Sequence, residues 1–158
     1  VDRATGSDEP LRAAVTALRA GDLVSLMPQG TIPRGRAFFD PELKGRWGAA
    51  RLAAMSGAPI IPVGIWGTEK VWPRSSRLPD VLNLTDPPDI RVRVGPAVDL
   101  DLTDPDEDTR RIMAAISDLL PAESQRRFEP TPEELARTLP PGYEGDPDAE
   151  VERRPGTD

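Results

Sequence analysis

The chain of 158 residues has a mass of 17.2 kDa, enough for one domain with a hydrophobic core but too little for two independent ones. Cysteine and histidine are both absent, which excludes disulfides, thiol nucleophiles, thiolate metal sites and histidine bases within these residues. No apolar run reaches the ~18–20 residues that a transmembrane helix requires.

The charge of the chain changes sign along its length. Residues 1–97 carry 13 Lys/Arg against 10 Asp/Glu, whereas residues 98–158 carry 7 against 17. A mildly basic segment suits a small anion such as a phosphate group, while nucleic acid requires a denser basic surface, so no nucleic-acid partner is predicted. The acidic, proline-rich end predicts a solvated tail.

The first part of the chain predicts a helix, a strand and a long loop. A helix start at Ser7-Asp8-Glu9-Pro10 precedes apolar residues at helical spacing, which stop at Gly21. The apolar run over residues 23–27 predicts a buried strand, and the Pro- and Gly-rich residues 28–42 predict a loop.

Helices and strands alternate in the remainder. An Ala-rich helix is predicted over residues 46–56 and a buried strand over 59–66, and the alternating residues 89–95 predict a half-buried strand. Asp104-Pro105 predicts the start of a helix, and a short helix is predicted over 131–139. This alternation predicts an α/β layered domain over residues 1–122, followed by an acidic Pro-rich tail over 123–158 that contains the short helix and is disordered beyond about Pro140.

The predicted loop after the first strand contains residue types that suit a polyol phosphate. The run Met27-Pro28-Gln29-Gly30-Thr31 offers a carboxamide, a glycine N–H and a hydroxyl, and Arg34 and Arg36 follow closely. Hydrogen-bonding groups suit hydroxyls, while guanidinium groups bind phosphate in bidentate fashion. The alternative interpretation of these residues is an ordinary Pro/Gly turn at a strand end.

Four segments, in order, resemble the phospholipid/glycerol acyltransferase family. Met27-Pro28-Gln29-Gly30-Thr31 is similar to its Phe-Pro-Glu-Gly-Thr-Arg-Ser block, and residues 46–53 are similar to the helix that follows that block. Residues 58–65 are similar to the next block, an apolar strand with proline near its end. Val1-Asp2-Arg3 resembles the end of the preceding block, whose arginine contacts substrate phosphate.

The resemblance implies a partial glycerol-3-phosphate acyltransferase-like layered fold whose N-terminal part is missing, with residues 1–122 as the C-terminal portion of the domain. The implied reaction moves a fatty acyl group from a thioester of CoA or acyl carrier protein to a hydroxyl of glycerol phosphate or a lysophospholipid. The resemblance further implies no metal and no bound cofactor. It places the protein in the cytoplasm, peripheral to the membrane.

The candidate substrate-binding residues are those of the family-like blocks together with nearby cations, namely Arg3, Gln29, Gly30, Thr31, Arg34, Lys44 and Arg46. Gln29 stands where the family has glutamate and Ile32 where it has arginine, so we expect Arg34 to supply the cation. The His-x-x-x-x-Asp block of the family has no counterpart, hence no catalytic residue is assigned and the chain alone is predicted to be inactive. The alternative function is a non-catalytic phosphate- or lipid-binding interaction domain.

Overall fold

A computed structural model describes residues 9–80, 82, 84–127 and 129–145. Within these residues the α-helices are α1 Glu9–Arg19, α2 Gly48–Ser56, α3 Thr68–Val71, α4 Pro105–Leu119 and α5 Pro132–Arg137. The strands are β1 Val63–Trp66 and β2 Arg91–Val94, and 3₁₀ helices span Gly35–Phe39 and Ala122–Gln125. Helices with one small sheet confirm the α/β class in its broad sense.

The boundaries of the two central helices follow from local sequence. Asp104 caps α4, because its carboxylate accepts hydrogen bonds from the backbone N–H groups of Asp106 at 2.9 Å and Glu107 at 3.3 Å. Pro105 occupies the first turn, where the helix needs no N–H donor. Helix α2 ends at Gly57, whose φ of 70° is a left-handed conformation that glycine adopts without steric cost. Both predicted helices are confirmed.

The hydrophobic core lies where α2 packs against α1 and α4. Helix α2 buries the small residues Ala49, Ala50 and Ala53, and α4 buries Ile112 and Met113. The small side chains of α2 allow the axes of α2 and α4 to approach closely. The longer side chains of α4 fill the space between the two helices. Helix α4 therefore packs an apolar face, which includes Ile112 and Met113, against the core.

The two strands form an antiparallel pair that is covered on one face only. A side chain at Gly64 would come within 2.7 Å of the Leu119 side chain, so α4 packs closely on that face. The opposite face carries four β-branched side chains that are 41–66% exposed: Val63, Ile65, Val92 and Val94. The prediction of buried and half-buried strands is wrong here, because no described element covers this second face.

The predicted buried strand over residues 23–27 is also wrong. These residues form no strand, and Leu23 and Met27 are 89% and 77% exposed. A strand requires a neighbouring strand to satisfy its backbone groups. Among the described residues, no strand pairs with this segment.

The strand predicted over residues 59–66 is confirmed only in its last four residues. Pro62 has no N–H to donate, so a regular ladder cannot extend through it. The carbonyl groups still act as acceptors, since Ile60 O accepts from Val98 N at 2.9 Å and Pro62 O accepts from Gly95 N at 3.0 Å. These two backbone hydrogen bonds therefore continue the pairing beyond β1 and β2, although the segments are not regular strands.

Arg91 links β2 to the second 3₁₀ helix on the exposed surface. Its guanidinium lies 2.7 Å from an Asp89 carboxylate oxygen and 3.2 Å from one of Glu123. The hydrogen bond with Asp89 is the main cause that raises the pKa of Arg91 above its usual value. Arg91 and Arg93 are both exposed, and Arg91 has ion partners on this surface.

Part of the predicted tail is structured. Helix α5 begins with a reciprocal capping box, in which Glu134 N donates to Thr131 Oγ1 at 3.2 Å and Thr131 N donates to Glu134 Oε2 at 2.8 Å. The short helix predicted over residues 131–139 is thus confirmed. Disorder is predicted beyond about Pro140, yet residues 141–145 are described and include a turn in which Tyr143 N donates to Pro140 O at 3.1 Å. The rest of that prediction, residues 146–158, lies outside the described residues. The layered arrangement and the boundary between residues 122 and 123 stay predictions.

Candidate functional site

The loop that contains Gln29 and Arg34 is closed at its base by backbone hydrogen bonds. Arg46 N donates to Pro28 O at 2.8 Å, and this bond joins the two ends of residues 28–46. Gly30 N donates to Met27 O at 3.0 Å and forms a tight turn at the start of the loop. Because the Gly30 N–H already has this acceptor, it contributes to the turn and is not a spare donor for a ligand.

Gly30 instead makes room for the Arg46 side chain. Its φ of 66° lies in the left-handed region, and a Cβ at this position would stand 2.9 Å from Arg46 Cδ. The guanidinium stem of Arg46 therefore crosses directly over the turn. Gln29 and Thr31 flank Gly30 and are both half-buried. The structure thus brings together four of the predicted substrate-binding residues, namely Gln29, Gly30, Thr31 and Arg46.

Arg34 lies farther along the same loop, at the start of the first 3₁₀ helix. Its Nε atom is buried, and its Cζ lies 5.2 Å from the ring centroid of Tyr143. The neighbouring Gly35 N donates to Thr138 Oγ1 at 2.9 Å, and Arg36 forms an ion pair with Glu129. Residues from the C-terminal part of the chain therefore contact each residue from 34 to 36.

Arg74 adds a further cation to this region. Its guanidinium donates to the carbonyl oxygen of Ile32 at 2.9 Å, across 42 positions of sequence. The sequence analysis missed Arg74, Thr138 and Tyr143. No motif or periodicity connects these residues to the loop, so no local signal could have identified them.

Lys44 borders a groove beside α4 and not the Gln29–Thr31 turn. It is exposed, and it borders a groove of about 520 Å³ between residues 41–45 and α4. Apolar side chains of Leu43 and Met113 line this groove, together with Thr109, whose hydroxyl is buried without a hydrogen-bond partner. Lys44 is only two residues from Arg46, yet it faces this groove beside α4.

Of the predicted substrate-binding residues, one lies in a part of the chain that the structure does not describe. Arg3 lies outside the described residues. Throughout the described part of the chain, no group of three or more Asp or Glu side chains could hold a metal ion. No helix of that part is both long and apolar enough to cross a bilayer.

Comparison with known proteins gives one match. The family model described as Acyltransferase matches residues 1–66. This match contains all the predicted substrate-binding residues, and it ends well before Thr138 and Tyr143. Searches of curated proteins and of solved structures find no match.

Proposed function

We propose that the loop over residues 27–46 binds the acceptor of an acyl transfer, because the family model described as Acyltransferase matches residues 1–66. The acceptor of the proposal is a glycerol phosphate or a lysophospholipid, and the donor is an acyl thioester of CoA or acyl carrier protein. The observation that carries the proposal is the packing of Arg46 over the Gln29–Thr31 turn, with Arg34 in the same closed loop.

Each side chain has a distinct role in this proposal. The Gln29 carboxamide and the Thr31 hydroxyl hydrogen-bond the glycerol hydroxyl groups, because both side chains can donate and accept. The Arg34 guanidinium binds the phosphate through two parallel N–H donors. Arg46 adds positive charge beside the turn. Together these residues orient the acceptor hydroxyl toward the thioester carbonyl, which lowers the barrier through positioning.

The deprotonation step requires a group that these 158 residues lack. In the proposed reaction a base removes the proton of the acceptor hydroxyl, the oxygen attacks the thioester carbonyl, and the thiol leaves. The family resemblance assigns that base to a histidine, and the sequence contains none. The residues of this chain therefore bind and orient the acceptor, and the reaction needs no metal or bound cofactor.

Membrane association is part of the proposal. Leu23, Met27 and Ile32 adjoin the site and are 89%, 77% and 58% exposed. Large apolar side chains at such exposure are unfavourable in water and favourable at a lipid surface. They support peripheral contact with the cytoplasmic face of the membrane, where a lysophospholipid acceptor resides.

The chain by itself is expected to show no acyl transfer, because it has no side chain matched to act as a base near neutral pH. Thiol release from acyl-CoA in the presence of lysophosphatidate should equal that of a heat-denatured sample. Turnover above that control would contradict the proposed histidine chemistry.

The absence of histidine also favours a second function, a non-catalytic domain that binds phosphate or lipid. The full-length gene product separates the two functions. Acyl transfer that depends on a His-x-x-x-x-Asp block would support the enzyme. A full-length protein that binds lysophosphatidate and has no such block would support the binding domain.

A further inference from the structure

Thr138, which follows α5, fixes the backbone of the proposed phosphate-binding loop. Its side chain is 4% exposed, and its hydroxyl oxygen accepts a hydrogen bond of 2.9 Å from Gly35 N while donating to Leu135 O at 2.7 Å. A buried hydroxyl with both a donor and an acceptor has one defined orientation. The Gly35 amide, which follows Arg34 directly, is therefore held at one place on the C-terminal segment.

Tyr143 fixes the side chain of Arg34. The distance of 5.2 Å from Arg34 Cζ to the ring centroid is within the range of a cation–π interaction. Tyr143 is itself held by a turn, in which its N–H donates to Pro140 O at 3.1 Å. Contact with the ring restricts the positions open to the guanidinium, whose N–H donors lie on its edge.

The two arginines of the loop have chemically different partners. Glu129 is a carboxylate, so its ion pair with Arg36 offsets the charge of that guanidinium. Tyr143 is an uncharged ring, and it contacts the Arg34 guanidinium through a cation–π interaction. Loss of the Tyr143 ring therefore removes a contact of Arg34 and leaves the ion pair of Arg36 with Glu129 in place.

We infer that Tyr143, supported by Thr138, is a positioning residue that holds Arg34 in the orientation required to bind the phosphate group of the acceptor. The inference rests on the proposed function, since it names what orients the cation of that site. It extends the site from the family-matched residues 1–66 to a segment more than 70 residues downstream.

A double-mutant cycle on the 158-residue chain tests the inference, with binding of glycerol 3-phosphate measured by titration calorimetry. Tyr143→Leu is expected to weaken binding about three- to tenfold, because it removes the ring that orients Arg34. Tyr143→Phe keeps the ring and should bind within about twofold of the unaltered chain. In an Arg34→Ala background, Tyr143→Leu should have no further effect.

The results distinguish the positioning role of Tyr143 from the acceptor site itself. Unchanged binding by Tyr143→Leu, or an equal loss in the Arg34→Ala background, would overturn the positioning role and leave the proposed acceptor site intact. Loss of binding by Tyr143→Phe equal to that of Tyr143→Leu would also overturn it. Absence of binding by the unaltered chain, or full binding by Arg34→Ala alone, would overturn the proposed acceptor site and with it the inference.

Discussion

Replacement of Asp108 by alanine is expected to lower the free energy of unfolding by about 3 kcal/mol. The Asp108 side chain is 2% exposed, and its carboxylate accepts from Asp101 N at 3.0 Å and Leu102 N at 2.8 Å. Leu102 has a φ of 61°, a strained conformation for a residue other than glycine. Without the carboxylate, two amides lose their acceptor and the strained turn loses its support.

Urea denaturation measures this loss as a lower midpoint with an unchanged slope. Asp108→Asn should lose about half as much, because an amide retains one acceptor oxygen. Asp118→Ala is the matched control, since it removes an exposed carboxylate from the same helix and should change stability by less than about 0.5 kcal/mol. A loss below about 1 kcal/mol for Asp108→Ala would contradict the anchoring role.

Replacement of Arg34 by alanine is expected to weaken binding of glycerol 3-phosphate about 10- to 100-fold, which corresponds to about 1.5–3 kcal/mol for a lost charge-assisted interaction. Arg34→Lys should restore only part of the affinity, because an ammonium group cannot form two parallel N–H bonds. Titration calorimetry measures both values.

Arg110→Ala is the matched control for the loss of one positive charge. Arg110 borders the groove beside α4, and its own ion partner is Glu107. Its replacement should leave affinity within about twofold of the unaltered chain. If Arg110→Ala weakened binding and Arg34→Ala did not, the phosphate would bind in the groove and not in the loop.

The helices could be predicted because their signals are local. The Asp104 cap, the Gly57 stop and the capping box at Thr131 each involve residues within one turn of helix. The exposure of residues 23–27 and of one sheet face could not be predicted in this way. An apolar run indicates that a segment can be buried, and burial also requires an element that covers it.

The same difference between local and long-range signals applies to the candidate site. Gln29, Gly30, Thr31 and Arg34 could be identified because they share one short motif. The contact between Gly35 and Thr138 spans 103 positions, and single residues at such distances carry no pattern. The position of Arg46 over Gly30 also needed the structure, since the distance of 2.9 Å from a Cβ placed on Gly30 to Arg46 Cδ shows that the side chain crosses the turn.

An NMR titration of backbone amides with glycerol 3-phosphate tests directly whether the loop over residues 27–46 recognises a phosphate-bearing polyol. The expected result is a saturable set of shift changes centred on Thr31, Gly35 and Arg46, with none from glycerol, which lacks the phosphate. Shift changes centred on α4 residues of the groove would contradict recognition by the loop. Equal responses to glycerol and glycerol 3-phosphate would contradict recognition of the phosphate.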